Sequence, residues 1–176
     1  MTGQEEAWYA LRSFNCKEME ASGYLQEQGL QCFVPMMIKE KALPDGKVER
    51  VQVPAVHNYL FMKKSIDHNA LKKVVAQCPV PLCVIKSMDG QHPCEIPEAE
   101  MNEFRLLCDP DFVMATYLEQ NEAEAKVGKE VVVMHGPLKG THGKLHRVRN
   151  KYFLVKTMAG LGVMVRISRW YCKVID

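Results

Sequence analysis

The side chains best suited to chemistry in this sequence are its seven cysteines and six histidines. Thiols and imidazoles work as metal ligands, or as a nucleophile with its base, only at short and defined spacings. The cysteines stand at Cys16, Cys32, Cys78, Cys83, Cys94, Cys108 and Cys172. No C-x-x-C occurs, and the closest pair, Cys78 and Cys83, flanks the stiff segment Pro79-Val80-Pro81. The histidines form no HExxH and no tight pair with a cysteine, and the chain has no glycine-rich phosphate loop. An odd cysteine count without a secretion signal predicts reduced thiols. The expectation is a protein with no metal, no cofactor and no catalytic activity.

Charge is the second candidate for chemistry, and its distribution says more than the net of +2. Residues 1–108 carry 12 basic against 14 acidic residues, and residues 109–125 carry five acids and no base. Residues 126–176 carry 11 basic residues against Glu130 and Asp176, a net of +9. This pattern predicts an N-terminal domain over 1–108, an acidic linker over 109–125 and a basic module over 126–176. A basic module favours an anionic partner, nucleic acid being the commonest, although a solvated basic surface has the same composition. Lys139, Lys144, Arg147 and Arg149, with Lys151, concentrate that charge around its turns. Lys63, Lys64, Lys72 and Lys73 form a separate cluster that can guide nucleic acid, and a solvated helix face accounts equally well for the last pair. Aromatics for base stacking are sparse there, Tyr152 and Phe153 being nearest. The apolar runs, such as Val131-Val132-Val133-Met134, are too short to span a bilayer. Glu5 and Glu6 stand where a signal peptide would be basic. A cytoplasmic monomer with no membrane contact is expected.

The elements that position these residues follow from periodicity. Trp8 to Phe14 reads as an opening strand, and Lys17 to Gln28 as a helix with Ala21, Tyr24 and Leu25 on one face and Gly29 as its stop. Gln31 to Met37 is a strand interrupted by Pro35, which favours an edge or a bulge. A hairpin follows, Ile38–Leu43 and Val48–Val53 around Pro44-Asp45-Gly46. Tyr59 to Met62 suits a buried strand, Asn69 a helix cap for 70–76, and Leu82 to Lys86 a further strand. Pro97 suits the start of a helix whose stripe is Met101, Phe104 and Leu107. An α+β sandwich with a mainly antiparallel sheet fits this order. Beyond residue 125 the strands 130–134, 144–148, 152–156 and 163–167 alternate with glycines, which indicates a small β-barrel. Nine valines against four leucines in residues 127–176 support strands over helices.

Gly136-Pro137-Leu138-Lys139-Gly140-Thr141-His142-Gly143, set between valine-rich strands, resembles the KOW motif. Gly136 and Pro137 turn the chain, Gly140 allows a positive φ or close approach, and Gly143 opens the next strand. Trp8-Tyr9-x-Leu11, Cys32-Phe33-Val34-Pro35, Asp45-Gly46-Lys47 and Pro54-Ala55-Val56-His57-Asn58-Tyr59-Leu60-Phe61 resemble the N-terminal domain of the NusG family. Val56-His57-Asn58-Tyr59, in place of F-P-G-Y, resembles the specialised RfaH-like and UpxY-like antiterminators of surface-polysaccharide operons.

The resemblance implies a ferredoxin-like N-terminal domain and an SH3-like C-terminal barrel. It implies that the chain binds RNA polymerase and suppresses pausing or termination. Tyr59 and Val56, with Arg12 where some members carry an aromatic, match the positions that dock on the polymerase. A core role for Tyr59 stays open, and Trp8 and Phe61 are assigned to the core. The barrel's partner would be a ribosomal protein, a termination factor or RNA. First-helix DNA reading, seen in specialised members, is opposed here by Glu18, Glu20 and Glu27. A ribosome-associated or RNA-binding KOW protein is the alternative.

Overall fold

The computed structural model describes residues 5–111 and 114–175. It divides into two compact units, 1–101 and 102–176.

The N-terminal unit is organised around β1 (Ala7–Ser13), which pairs antiparallel with β5 (Tyr59–Lys63) on one side. On its other side β6 (Leu82–Val84) and β7 (Glu95–Pro97) share the edge, opposite 11–13 and 7–9 respectively. The two-residue β2 (Cys32–Phe33) extends the sheet beyond β5. Alternation on these strands divides their residues between two faces. Tyr9, Leu11, Leu60 and Met62 form a buried cluster with Ala21 and Leu25 of α1 (Glu18–Glu27) and Leu71 of α2 (His68–Ala76). On the opposite face Trp8, Ala10 and Phe61 are fully buried, and the Trp8 indole N–H donates to Glu98 at 2.6 Å. Arg12 and Tyr59 continue that second face to its open end.

Pro35 marks where the chain leaves this sheet. Beyond it β3 (Met36–Ala42) and β4 (Val48–Pro54), seven residues each, pair only with each other as a hairpin closed at Gly46. The α2 cap is Asp67 rather than Asn69. The Asp67 carboxylate accepts from Ala70 N–H at 2.7 Å, and the helix begins at His68, so Asn69 already lies inside it. The helix expected from Pro97 is α3 (Glu98–Leu107), with Met101, Phe104 and Leu107 all buried.

The C-terminal unit holds one antiparallel six-stranded sheet. Its strands are β8 (Ala115–Glu119), β9 (Gly128–Val133), β10 (His142–Val148), β11 (Lys151–Met158), β12 (Leu161–Arg166) and β13 (Cys172–Val174), in the order β13-β9-β10-β11-β12-β8. Four of these coincide with the expected strands; β8 and β13 are additional. No ladder joins β13 to β8, so the sheet is not closed by strand pairing among the described residues. The stretch expected to be an acidic linker contains β8 and α4 (Gln120–Ala125). Its charge concealed an apolar set: Tyr117 and Leu118 are half-buried on the strand paired to β12, and Ala123 is fully buried.

Two glycines of the expected turn segment have distinct duties. Gly140 takes φ +91°, and its N–H donates to Val133 O at 2.8 Å, which closes the β9–β10 connection. Gly143 lies within β10, where a Cβ would stand 2.9 Å from Val155 O and 3.0 Å from the Leu154 side chain.

Candidate functional site: a contact face and its latch

Arg12 and Tyr59 are cross-strand partners on β1 and β5, so their side chains emerge on one face. The Arg12 guanidinium lies 5.7 Å from the centre of the Tyr59 ring, the geometry of a cation–π contact. Arg12 is exposed and Tyr59 half-buried, in contrast to Trp8, Ala10 and Phe61 further along the same face. Tyr59 is therefore not a sealed core residue. Val56 is half-buried in the loop between β4 and β5, three residues earlier.

That loop is held by a buried carboxylate. Glu18, the first residue of α1, is 1% exposed. It accepts a hydrogen bond from Asn58 N–H at 3.1 Å and lies 3.1 Å from His57 Nδ1. Asn58 in turn accepts from Ser13 N–H through its carbonyl at 3.1 Å, and from Cys16 N–H through Oδ1 at 2.9 Å. Burial pulls the Glu18 carboxyl upward, but bonds from Asn58 N–H, its own N–H and His57 outweigh it and hold it below the ordinary carboxylate value. Asn58 has φ +68°. Asparagine tolerates this left-handed conformation better than other residues with a Cβ, so it can stand where a glycine would otherwise serve. In the sequence His57-Asn58 stands out only as a motif variant, and Glu18 only as a charge that repels phosphate. A buried acid at the start of a helix gives no periodic signal.

The lysine clusters separate by their partners. Lys63 lies 2.9 Å from Glu6 and 3.8 Å from Glu98, and Lys64 lies 2.7 Å from Glu95 and 5.9 Å from the Tyr9 ring centre. Both are answered by carboxylates. Lys72 and Lys73 are exposed on α2. In the C-terminal unit Lys144 donates to Ala123 O and Glu124 O at the end of α4 (3.1 and 3.3 Å), where a cation complements the helix carbonyls. Lys139 is exposed on the turn between Gly136-Pro137 and Gly140. Arg147 lies 5.7 Å from the Tyr152 ring centre and donates to Arg149 O at 2.8 Å. Arg149 occupies the β10–β11 turn with φ +56°. Glu103 takes up Lys156 (2.7 Å) and both His142 N–H and Nδ1 (3.0 and 2.9 Å). Burial pulls Glu103 up, but these bonds outweigh it and hold it below the usual range.

The cysteines are all free. Burial pushes Cys32 up to about 11 and Cys108 up to about 12, and it raises Cys94 and Cys172 as well. Thiols shifted this way are poor nucleophiles at neutral pH. Among the described residues no group of His, Cys, Asp and Glu is placed to hold a metal ion. No helix there is long and apolar enough to cross a membrane.

The molecule is thus a strand-rich α+β protein in which Arg12 and Tyr59 reach the open end of one sheet face beside a loop held by Glu18. Residues 6–105 match the family described as transcription termination factor nusG. That match covers more than half of the chain, and the protein belongs to the NusG family of non-enzymatic transcription factors, which act in elongation and termination. Comparison with curated proteins gives no match.

Proposed function

We propose that this chain binds RNA polymerase through the face centred on Tyr59, with Arg12 and Val56, and suppresses pausing or termination. The observation that carries this reading is the partly open Arg12–Tyr59 pair at the end of an otherwise buried sheet face. A rigid aromatic stacked against a guanidinium offers area and a polar tip at low entropic cost, the composition of an interface hot spot. The Glu18 latch supports it by fixing the loop that carries Val56 and leads into Tyr59, so little ordering remains to be done on binding. The Val56-His57-Asn58-Tyr59 variant favours a specialised factor, acting on a surface-polysaccharide operon, over a general one. The N-terminal unit is taken to be the ferredoxin-like polymerase-binding domain, and the C-terminal sheet an SH3-like KOW barrel whose partner is a ribosomal protein, a termination factor or nucleic acid.

The test is a pull-down with core RNA polymerase, comparing the full-length protein with Tyr59→Ala, alongside transcription in vitro on its native leader. Retention of the native chain, its loss in the variant, and increased readthrough are expected. Co-sedimentation with ribosomes and no polymerase binding would favour the ribosome-associated alternative.

A further inference from the structure

At one end of the six-stranded sheet, the β10–β11 turn and the chain leaving β12 form a groove. Asn150, Lys151, Tyr152, Arg166, Arg169 and Trp170 line it, and its volume is about 530 Å³. Trp170 lies in a short 3-10 helix, Arg169–Tyr171, and is 87% exposed. An indole held in solvent by an ordered turn contributes nothing to a core. Its neighbour Tyr152 is half-buried, with Arg147 against its ring. Lys151, Arg166 and Arg169 show no ion-pair partner among the described residues, unlike Lys63, Lys64 and Lys156. The sequence between Glu130 and Asp176 contains no acid at all, so no carboxylate side chain stands beside them in that stretch.

We infer that this groove binds single-stranded nucleic acid, with an unpaired base stacked on Trp170 and phosphates held by Lys151, Arg166 and Arg169. The inference rests on the nucleic-acid reading of the C-terminal sheet and is separable from polymerase docking at Tyr59. Exposed aromatic faces interleaved with unanswered cations are what a flexible polyanion with π-faces requires. A duplex hides its base faces and meets only half of this surface. An acidic peptide uses the cations but gives the indole no matching plane. Recognition by stacking is tolerant of sequence, so a general affinity for exposed strand is expected rather than readout of a motif.

The chain has two tryptophans, and Trp8 is fully buried, so Trp170 is a built-in reporter. The full-length protein is titrated, without polymerase, with a 12-nucleotide single-stranded RNA, the same single-stranded DNA, a duplex and a poly-glutamate peptide. Indole quenching by acrylamide and the anisotropy of labelled ligand are followed together. Single strands should shield Trp170 from acrylamide. Trp170→Ala should weaken their binding by about tenfold, and Trp170→Phe should retain most of it. Replacing Lys151, Arg166 and Arg169 together by glutamine should lower the slope of log K against log salt by about 2, since each single-strand phosphate contact contributes about 0.7. The RNA and DNA arms distinguish the source of the strand, and shielding by either supports the site. The inference is overturned if neither strand shields Trp170, if Trp170→Ala binds them as well as the native chain, or if poly-glutamate or the duplex shields equally. Trp170→Ala should still bind polymerase, so loss of one activity leaves the other readable.

Discussion

Lys63 and Lys64 in the N-terminal unit, and Lys151, Arg166 and Arg169 in the C-terminal unit, look alike as clusters of basic residues. Their surroundings make them different objects. The first pair lies within ion-pairing distance of Glu6, Glu98 and Glu95, so each cation has a carboxylate beside it. The second set stands in a stretch free of acids, beside an exposed indole. Proximity of charges in sequence therefore says little about binding until the neutralising partners are known, because an exposed pair is worth little in stability yet sets a like charge against an incoming phosphate. The two units also brace themselves differently. The N-terminal unit holds its β4–β5 loop with a buried carboxylate, whereas the C-terminal unit relies on glycines where a Cβ does not fit.

Substitutions at these places test the contrast. Tyr59→Ala should weaken polymerase binding by about 2 kcal/mol or more, the scale of an interface hot spot, with its unfolding midpoint nearly unchanged. Equal loss of affinity and stability would instead make Tyr59 a core residue. Gly143→Val forces a side chain against Val155 O and Leu154, and urea unfolding should show a loss of about 1–3 kcal/mol. Glu18→Gln leaves the Asn58 and His57 bonds without their charge and should cost about 1–2 kcal/mol. Asn58→Gly keeps the left-handed turn but drops the bond from Cys16 N–H, so it should cost less than Asn58→Ala, which adds strain.

Acid titration gives a smaller effect of definite sign. Glu18 and Glu103 both have folded values below their ordinary one. Their contribution is present above the ordinary carboxylate range, and it is lost as pH falls through that range and below. Denaturation midpoints measured from pH 6 downward should fall less steeply in a Glu18→Gln, Glu103→Gln double variant. The smallest effect is expected for neutralising Lys63 and Lys64, which should leave the salt dependence of oligonucleotide binding unchanged.

Much of the scaffold was legible in the sequence because it follows from periodicity. The strands at 7–13, 59–63 and 142–166, the helix at 18–27 and the hairpin around Gly46 all came from alternation, apolar spacing and glycine punctuation. What escaped was carried by single contacts. Asp67 outcompeted Asn69 as a cap because it lay two residues earlier with an extended backbone. The acids of 109–125 mask Tyr117, Leu118 and Ala123, which are enough to build a strand and a helix. Of the candidate sites, Arg12 and Tyr59 are each legible as strand residues, but their pairing across β1 and β5 is a long-range register that no local pattern gives. The Glu18–His57–Asn58 cluster joins residues about 40 positions apart, and no local pattern announces it. Trp170 gives no signal in the sequence, since a lone tryptophan is as easily core as surface, and only its exposure separates the two.

The short outer strands have a further consequence. The C-terminal sheet ends in β13, three residues long with Lys173 at its centre, and in β8, five residues long with Glu119 at its end. Brief, charged borders give a passing extended chain few backbone partners to template on. Such borders oppose the growth of a valine-rich sheet strand by strand into an aggregate.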